Sequence, residues 1–187
     1  ARAAVEAGSL ETALDCFQKS LLIDPQRIET VCHMAFALSS FDRHADALEM
    51  ADKAVRMKSH HSHAHDVRGL ALMGSDKIND AVVAFRKALE IDSNFVSAHV
   101  NLGSASLKLG DHREALWHLD RALQLEPTNA MACNNLGLVL ADMAKFAEAE
   151  AALRQAVLTA PDFAEAHFNL SRVLLMQGKY LEGWQEN

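Results

Sequence analysis

Small side chains recur along the chain at a fixed interval of 34 residues. When the sequence is written in rows of that length, three columns contain only alanine, glycine or serine. The first column is Ala1, Ala35, Gly69, Gly103, Gly137 and Ser171, the second is Ala13, Ala47, Ala81, Ala115, Ala149 and Gly183, and the third is Ser20, Ala54, Ala88, Ala122 and Ala156. Two helices approach closely only where side chains are small. The columns therefore predict a packed pair of helices in every row.

Larger apolar residues lie between these columns at the spacing of a helix face. They are Leu38, Leu72, Leu140 and Leu174 on the first predicted helix, and Phe17, Phe85, Leu119 and Leu153 on the second. The turn between the helices often carries glycine or aspartate, at Gly8, Asp42, Asp76, Gly110 and Gly178. Pro25, Pro127 and Pro161 share one register after the second helix, where proline stops a helix. The pattern predicts tandem antiparallel helix pairs.

The period also defines the predicted domain organisation. The full repeats are 28–61, 62–95, 96–129 and 130–163, and the partial repeats are 1–27 and 164–187. One helix pair cannot bury its own apolar stripe, so neighbouring pairs must stack. We therefore predict a single solenoid over residues 1–187. Because both ends cut through a repeat, we also expect them to expose apolar surface and to support self-association.

Composition agrees with an all-α protein and restricts the class of partner. The chain has 187 residues, of which 50% are hydrophobic, and only three prolines and one tyrosine occur. A net charge of −7 argues against nucleic acid as the partner, because phosphate binding needs a basic face. No apolar run reaches the roughly 18 residues that a membrane span needs. Three widely spaced cysteines without a CxxC motif fit a reducing compartment, so we predict a cytoplasmic location.

The repeat resembles the tetratricopeptide repeat (TPR) family over the whole chain. The period is typical of that family, and the closest stretches are NLGSASLKLGDHREALWHLDRALQLEP at 101–127 and NNLGLVLADMAKFAEAEAALRQAVLTAP at 134–161. The resemblance implies a right-handed superhelical solenoid of antiparallel helix pairs. It also implies a concave groove that is lined by the first helix of each pair and holds a protein or peptide.

Three asparagines recur at the sixth position of successive repeats, at Asn101, Asn135 and Asn169. A side-chain amide both donates and accepts hydrogen bonds, so such a ladder can hold the main chain of an extended peptide. Adjacent helices pack about 8–10 Å apart and an extended chain advances about 3.3 Å per residue, which matches one rung to every third peptide residue. The ladder is similar to that in the TPR arrays of bacterial TPR proteins and in the TPR arm of O-linked N-acetylglucosamine transferases. The alternative is that these amides only hold neighbouring helices together.

The other residues that we expect at the peptide-binding face are Asn134, Ser104, Leu138, Phe168 and Arg172. Cys32 is also expected at the groove, where it would be open to thiol reagents. TPR proteins that clamp the acidic C-terminus of a chaperone use lysines at this surface. Cys32, Asp66 and Val100 replace the expected lysine, so we predict that an acidic C-terminal tail is not the ligand.

No catalytic constellation is apparent in the sequence, which lacks a glycine-rich phosphate loop and a nucleophile elbow. We predict a non-catalytic scaffold without a cofactor. The alternative is the substrate-recognition arm of a larger glycosyltransferase-type enzyme, because the final segment GKYLEGWQEN resembles endings that close TPR arrays before such domains. The run HHSHAHD at 60–66 suggests a metal site, but His99 and His167 occupy the position equivalent to His65, which favours a packing role.

Overall fold

The computed structural model of the protein describes residues 10–186, which form eleven α-helices. Their bounds are α1 Leu10–Ile23, α2 Ile28–Ser40, α3 His44–Met57, α4 Ser62–Gly74, α5 Ile78–Ile91, α6 Val96–Lys108, α7 His112–Leu125, α8 Ala130–Asp142, α9 Phe146–Thr159, α10 Ala164–Met176 and α11 Tyr180–Gln185. Ala1 and Gly8, two positions of the repeat pattern, lie outside the described residues.

The helices alternate between two lengths in step with the 34-residue period. Helices α2, α4, α6 and α8 each span 13 residues and begin at Ile28, Ser62, Val96 and Ala130. Each is followed by a helix of 14 residues. Helix α10 again spans 13 residues and begins at Ala164, whereas α11 spans six.

The described helices divide into two compact units, residues 10–98 and residues 99–186, so the boundary falls within α6. In the first unit, α2 packs against α3, α3 against α4 and α4 against α5, and Phe85 is a completely buried member of the core. In the second unit, α8 packs against α9, α9 against α10 and α10 against α11. Leu153 and Leu174 are completely buried there.

The small residues lie where helices meet, as the columns predict. A Cβ atom built on Gly69 would lie 2.4 Å from the Phe85 ring, and one on Gly137 would lie 2.5 Å from Leu153. A Cβ atom on Gly103 would lie 2.7 Å from Leu119. The fully buried alanines of the other two columns are Ala13, Ala47, Ala54, Ala81, Ala88, Ala115, Ala122, Ala149 and Ala156. The packing of large against small residues predicted from the sequence is therefore confirmed.

The turns between paired helices use one left-handed residue each. Asp42, Asp76, Gly110, Ala144 and Gly178 have φ angles of 59°, 59°, 76°, 59° and 77°. In each turn the next backbone N–H donates to the carbonyl five residues earlier, at 2.9–3.0 Å, which satisfies an otherwise open helix end. Glycine adopts this conformation freely and aspartate tolerates it. Alanine does not, and the sequence pattern gave no turn signal at that position.

Replacing Ala144 with glycine should stabilise the protein by about 1 kcal/mol, because a left-handed conformation costs a residue with a Cβ atom about 1–2 kcal/mol and glycine loses part of that gain through chain entropy. The midpoint of thermal denaturation should rise. Ala151→Gly is the matched control, since Ala151 is exposed in the middle of α9 and glycine there should destabilise by up to about 1 kcal/mol. Equal shifts in the two variants would contradict the assignment of strain to Ala144.

A buried carboxylate joins α9 to the turn before α11. Glu150 is 9% exposed and accepts hydrogen bonds from Lys179 Nζ at 2.6 Å, Gln177 Nε2 at 2.8 Å and Arg154 Nε at 3.0 Å. Arg154 also contacts Glu182 of α11 at 2.5 Å. Burial by itself would raise the pKa of Glu150, but the hydrogen bonds from Lys179, Gln177 and Arg154 outweigh it and lower the pKa from 4.5 to about 2. The carboxylate is therefore ionised in the folded protein down to strongly acidic pH.

Candidate functional site

The asparagines of the predicted ladder lie at equivalent positions on three helices. Asn101 is half-buried on α6, whereas Asn135 on α8 and Asn169 on α10 are only 7% and 4% exposed. Each is the sixth residue of its helix, so the helical register positions the three side chains alike. The structure therefore provides a row of amides, with most of the surface of Asn135 and Asn169 covered by the protein itself.

Asn134 is buried next to this row and forms hydrogen bonds with two of its members, Asn135 and Asn169. Its side chain is completely buried, and its Oδ1 accepts a hydrogen bond from Asn169 Nδ2 at 2.9 Å. Its Nδ2 donates to Asn135 Oδ1 and to Glu165 Oε1, both at the long distance of 3.4 Å. Asn134 was expected at the binding face itself, but its amide is used inside the protein. Any contribution of Asn134 to binding is therefore indirect.

A pocket with mostly apolar walls opens beside Asn169. It has a volume of about 340 Å³ and is lined by Leu107, Leu138, Ala141, Asp142, Asn169, Arg172, Val173 and Met176. The structure thus brings together three of the predicted site residues, Leu138, Asn169 and Arg172. Sequence reasoning missed Val173, although it lies one helical turn after Asn169 and that spacing identifies it as a neighbour on the same face.

Two further predicted residues, Phe168 and Ser104, do not line this pocket. Phe168 is 53% exposed, and the Arg172 guanidinium carbon is 5.9 Å from the centre of its ring, which is the geometry of a cation–π contact. Ser104 is half-buried on α6. Neither Ser104 nor Asn101 contributes to the walls of the pocket beside Asn169.

The position of Cys32 differs from the expectation of a reactive groove thiol. Cys32 is completely buried, and burial, followed by the nearby charges of Glu29 and Asp66, raises its pKa to about 12. A buried thiol of high pKa is unreactive because the thiolate is the nucleophile. Asp66 and Val100, which share its repeat position, are buried as well. This position belongs to the helix interface in these repeats and not to the groove surface, so that prediction is wrong.

Two histidines of the 60–66 segment, His61 and His65, form hydrogen bonds with the backbone. His65 Nε2 lies 2.9 Å from the Ser59 carbonyl oxygen, and His167 Nε2 lies at the same distance from the Pro161 carbonyl oxygen three repeats later. His61 Nδ1 accepts a hydrogen bond from the backbone N–H at the start of α4. The recurrence supports the packing role of His65. Within residues 10–186, no three or more His, Cys, Asp or Glu side chains are grouped as metal ligands.

Family models and solved structures identify what the chain is similar to. Two models described as tetratricopeptide repeat match residues 96–129 and 134–183, and a third described as TPR repeat matches residues 69–110. No curated protein matches the sequence. Among the described helices, none is both long enough and apolar enough to cross a membrane.

Three solved structures illustrate the likeness. YrrB, a TPR protein with an unusual peptide-binding site, is 23% identical over 91% of this chain and 88% of its own, with a TM-score of 0.61. TTC0263, a TPR protein of Thermus thermophilus, is 22% identical over 91% of this chain and 93% of its own, with a TM-score of 0.80. A chain of the APC/C hetero-tetramer Cut9-Hcn1 is 15% identical over 98% of this chain, with a TM-score of 0.86.

The present chain spans 36% of that APC/C chain. At such low identities the likeness shows the fold alone. It confirms the predicted all-α architecture of repeated helix pairs.

Proposed function

Because the chain belongs to the tetratricopeptide repeat family, whose members generally serve as scaffolds for other proteins, we propose that it is a non-catalytic scaffold. Its ligand is an extended polypeptide segment of a partner protein. The segment binds along the face that carries Asn101, Asn135 and Asn169, with Ser104, Leu138, Phe168 and Arg172 as further contacts.

The pocket beside Asn169 is the observation that carries this proposal. Cavities that bind ligands combine apolar walls with a few polar groups. Here Leu107, Leu138, Val173 and Met176 supply the apolar walls, and Asn169 supplies an amide among them. A side chain of the bound segment fills the pocket while the amide row contacts its main chain. The peptide-binding site of YrrB, a protein of the same fold, supports the same class of ligand.

Apolar side chains are also exposed at the C-terminal end of α1 (Ile23) and on α11 (Leu181 and Trp184). This exposure fits the predicted self-association, which stays a prediction.

A role as the recognition arm of a larger glycosyltransferase-type enzyme would use the same amide row, so the binding experiment below applies to it equally.

Simultaneous replacement of Asn101, Asn135 and Asn169 with alanine should weaken peptide binding by at least tenfold. The probe is a 12-residue peptide selected on this chain from a random linear library and measured by fluorescence anisotropy. Each hydrogen bond contributes about 0.5–1.5 kcal/mol net, and 1.4 kcal/mol is tenfold in affinity, so three lost contacts should weaken binding by at least tenfold.

The control for this variant is Asn79→Ala, which changes an exposed asparagine of α5 outside the row and should bind like the wild type. Circular dichroism establishes that the triple variant keeps its helices, because Asn169 also bonds Asn134. If the folded triple variant binds every selected peptide with wild-type affinity, the proposed site is wrong.

A further inference from the structure

The amides of Asn134, Asn135 and Asn169 are not free to take either orientation. Glu165, on α10, contacts the side chain of Asn134 at 3.4 Å. An ionised carboxylate only accepts hydrogen bonds, so the atom of Asn134 that faces it must be the donor Nδ2. The other end of the same amide, Oδ1, is thereby directed at Asn169. One charged group therefore fixes the orientation of the buried amide.

This orientation passes to the neighbouring amides. Asn134 Oδ1 requires a donor, so Asn169 presents Nδ2 to it at 2.9 Å and keeps Oδ1 for its other side. Asn134 Nδ2 requires an acceptor, so Asn135 presents Oδ1 to it and keeps Nδ2. Within residues 10–186, no other hydrogen bond involves Asn169 Oδ1 or Asn135 Nδ2. The two ladder residues thus offer opposite chemistry to a ligand.

We propose that this site binds peptide main chain with a fixed polarity: Asn169 accepts a hydrogen bond from a peptide N–H, and Asn135 donates one to a peptide carbonyl. The inference rests on the proposed function and specifies its ligand. Glu165 is the positioning residue, since it acts through Asn134. The two interpretations of the ladder are then compatible at Asn169, because one end of its amide ties α10 to α8 through Asn134 and the other end faces the ligand.

The proposal restricts the ligand in a way that a symmetric ladder would not. The residue opposite Asn169 must carry a backbone N–H, which excludes proline at that place. The pocket of about 340 Å³ beside Asn169 then takes an apolar side chain from the same stretch of the peptide. The predicted ligand is an extended segment with a non-proline residue at the Asn169 contact and an apolar side chain next to it.

An ester scan of the selected 12-residue peptide tests the acceptor role of Asn169. Each backbone N–H is replaced in turn by an ester oxygen, which removes one donor. One ester should weaken binding to the wild-type chain by about three- to tenfold, the net value of one hydrogen bond. The same ester should have no further effect on Asn169→Ala, because coupled partners are non-additive in a double-mutant cycle. Asn135→Ala should leave the ester effect intact.

Glu165→Lys tests the positioning role. The lysine ammonium only donates, so it favours Asn134 with Oδ1 turned toward residue 165 and Nδ2 toward Asn169. Asn169 then exposes its own Nδ2, and the ester effect should fall below twofold. The matched control is Glu148→Lys, which makes the same charge change at an exposed residue in the first turn of α9 and should keep the full effect.

The outcomes separate this inference from the proposed function. If the triple asparagine variant binds as the wild type does, the proposed function fails and the inference fails with it. If the triple variant loses binding but no ester effect is coupled to Asn169, the ladder binds peptide and the fixed polarity is wrong. An unchanged ester effect in folded Glu165→Lys overturns the role of Glu165. Should that variant not fold, the double-mutant cycle on Asn169 still decides the polarity.

Discussion

Truncation of Phe85 to alanine should lower the free energy of unfolding by about 3–5 kcal/mol, as for other buried phenylalanines that leave a cavity. Phe85 is completely buried on α5. Its ring occupies the space that a side chain at Gly69 would need, since a Cβ atom there would lie 2.4 Å away. Neither α5, which carries Phe85, nor α4, which carries Gly69, can fill the cavity left by the ring without moving. Denaturant unfolding measured by circular dichroism gives the change.

Two further substitutions show whether this loss comes from the helix interface. Phe85→Leu should cost less than Phe85→Ala, because Leu119 and Leu153 pack against Gly103 and Gly137 in the same way. Phe36→Ala removes a ring of the same size that is 50% exposed and should cost under about 1 kcal/mol. Similar losses for Phe85→Ala and Phe36→Ala would show that the Phe85 contact does not dominate the stability of its repeat.

The fold was predictable because the same packing constraint acts in every repeat. A position that must hold a small residue in one helix pair must hold one in every pair. A column of small residues over several repeats is therefore easily distinguished from chance. The turn is the instructive exception. At Asp42 and Gly110 the residue type itself indicates a left-handed conformation, because aspartate and glycine tolerate it. Ala144 adopts the same conformation although alanine does not favour it. There the hydrogen bonds and packing of the repeat outweigh the preference of the residue.

The proposed binding face was harder to predict than the fold, because burial at the helix interface depends on the neighbouring repeat. Adjacent residues on a helix differ by about 100° in direction, so Asn134 and Asn135 were both plausible surface residues. The structure buries Asn134 completely and bonds it to Asn169 and Glu165. Cys32 was misassigned for the same reason. The pattern within one repeat does not encode which of two adjacent positions the next helix covers.

The Glu150 network was not predictable from the repeat at all. The equivalent positions hold Leu116 and Val82, so the pattern indicates an apolar residue there. Glu150 is buried nonetheless, and its partners Gln177 and Lys179 belong to the turn of the following helix pair. A buried charge is stable only when it is paired and hydrogen-bonded, so the three donors and the carboxylate form one unit. Losing the carboxylate should therefore have a large effect.

Glu150→Gln should destabilise the protein by about 1–3 kcal/mol at neutral pH, the range for losing charged hydrogen bonds. The glutamine keeps the shape but not the charge that Lys179 and Arg154 contact. The difference from the wild type should also depend on pH. The folded pKa of Glu150 is lowered from 4.5 to about 2, so its contribution is complete above about pH 4.5 and is lost as the pH falls toward 2. Urea unfolding at several pH values measures this.

Glu148→Gln separates the network from a general effect of charge. Glu148 is exposed in the first turn of the same helix, so this variant should lose at most about 1 kcal/mol, the contribution of an acidic side chain at a helix N-terminus. If Glu150→Gln stays equally destabilised at pH 3 and pH 7, the loss comes from the geometry of the amide and not from the missing charge. If the difference shrinks as the pH falls, ionised Glu150 contributes to stability through Lys179 and Arg154. Protonation of Glu150 in acid would then also loosen α11, because Arg154 bridges Glu150 to Glu182 on that helix.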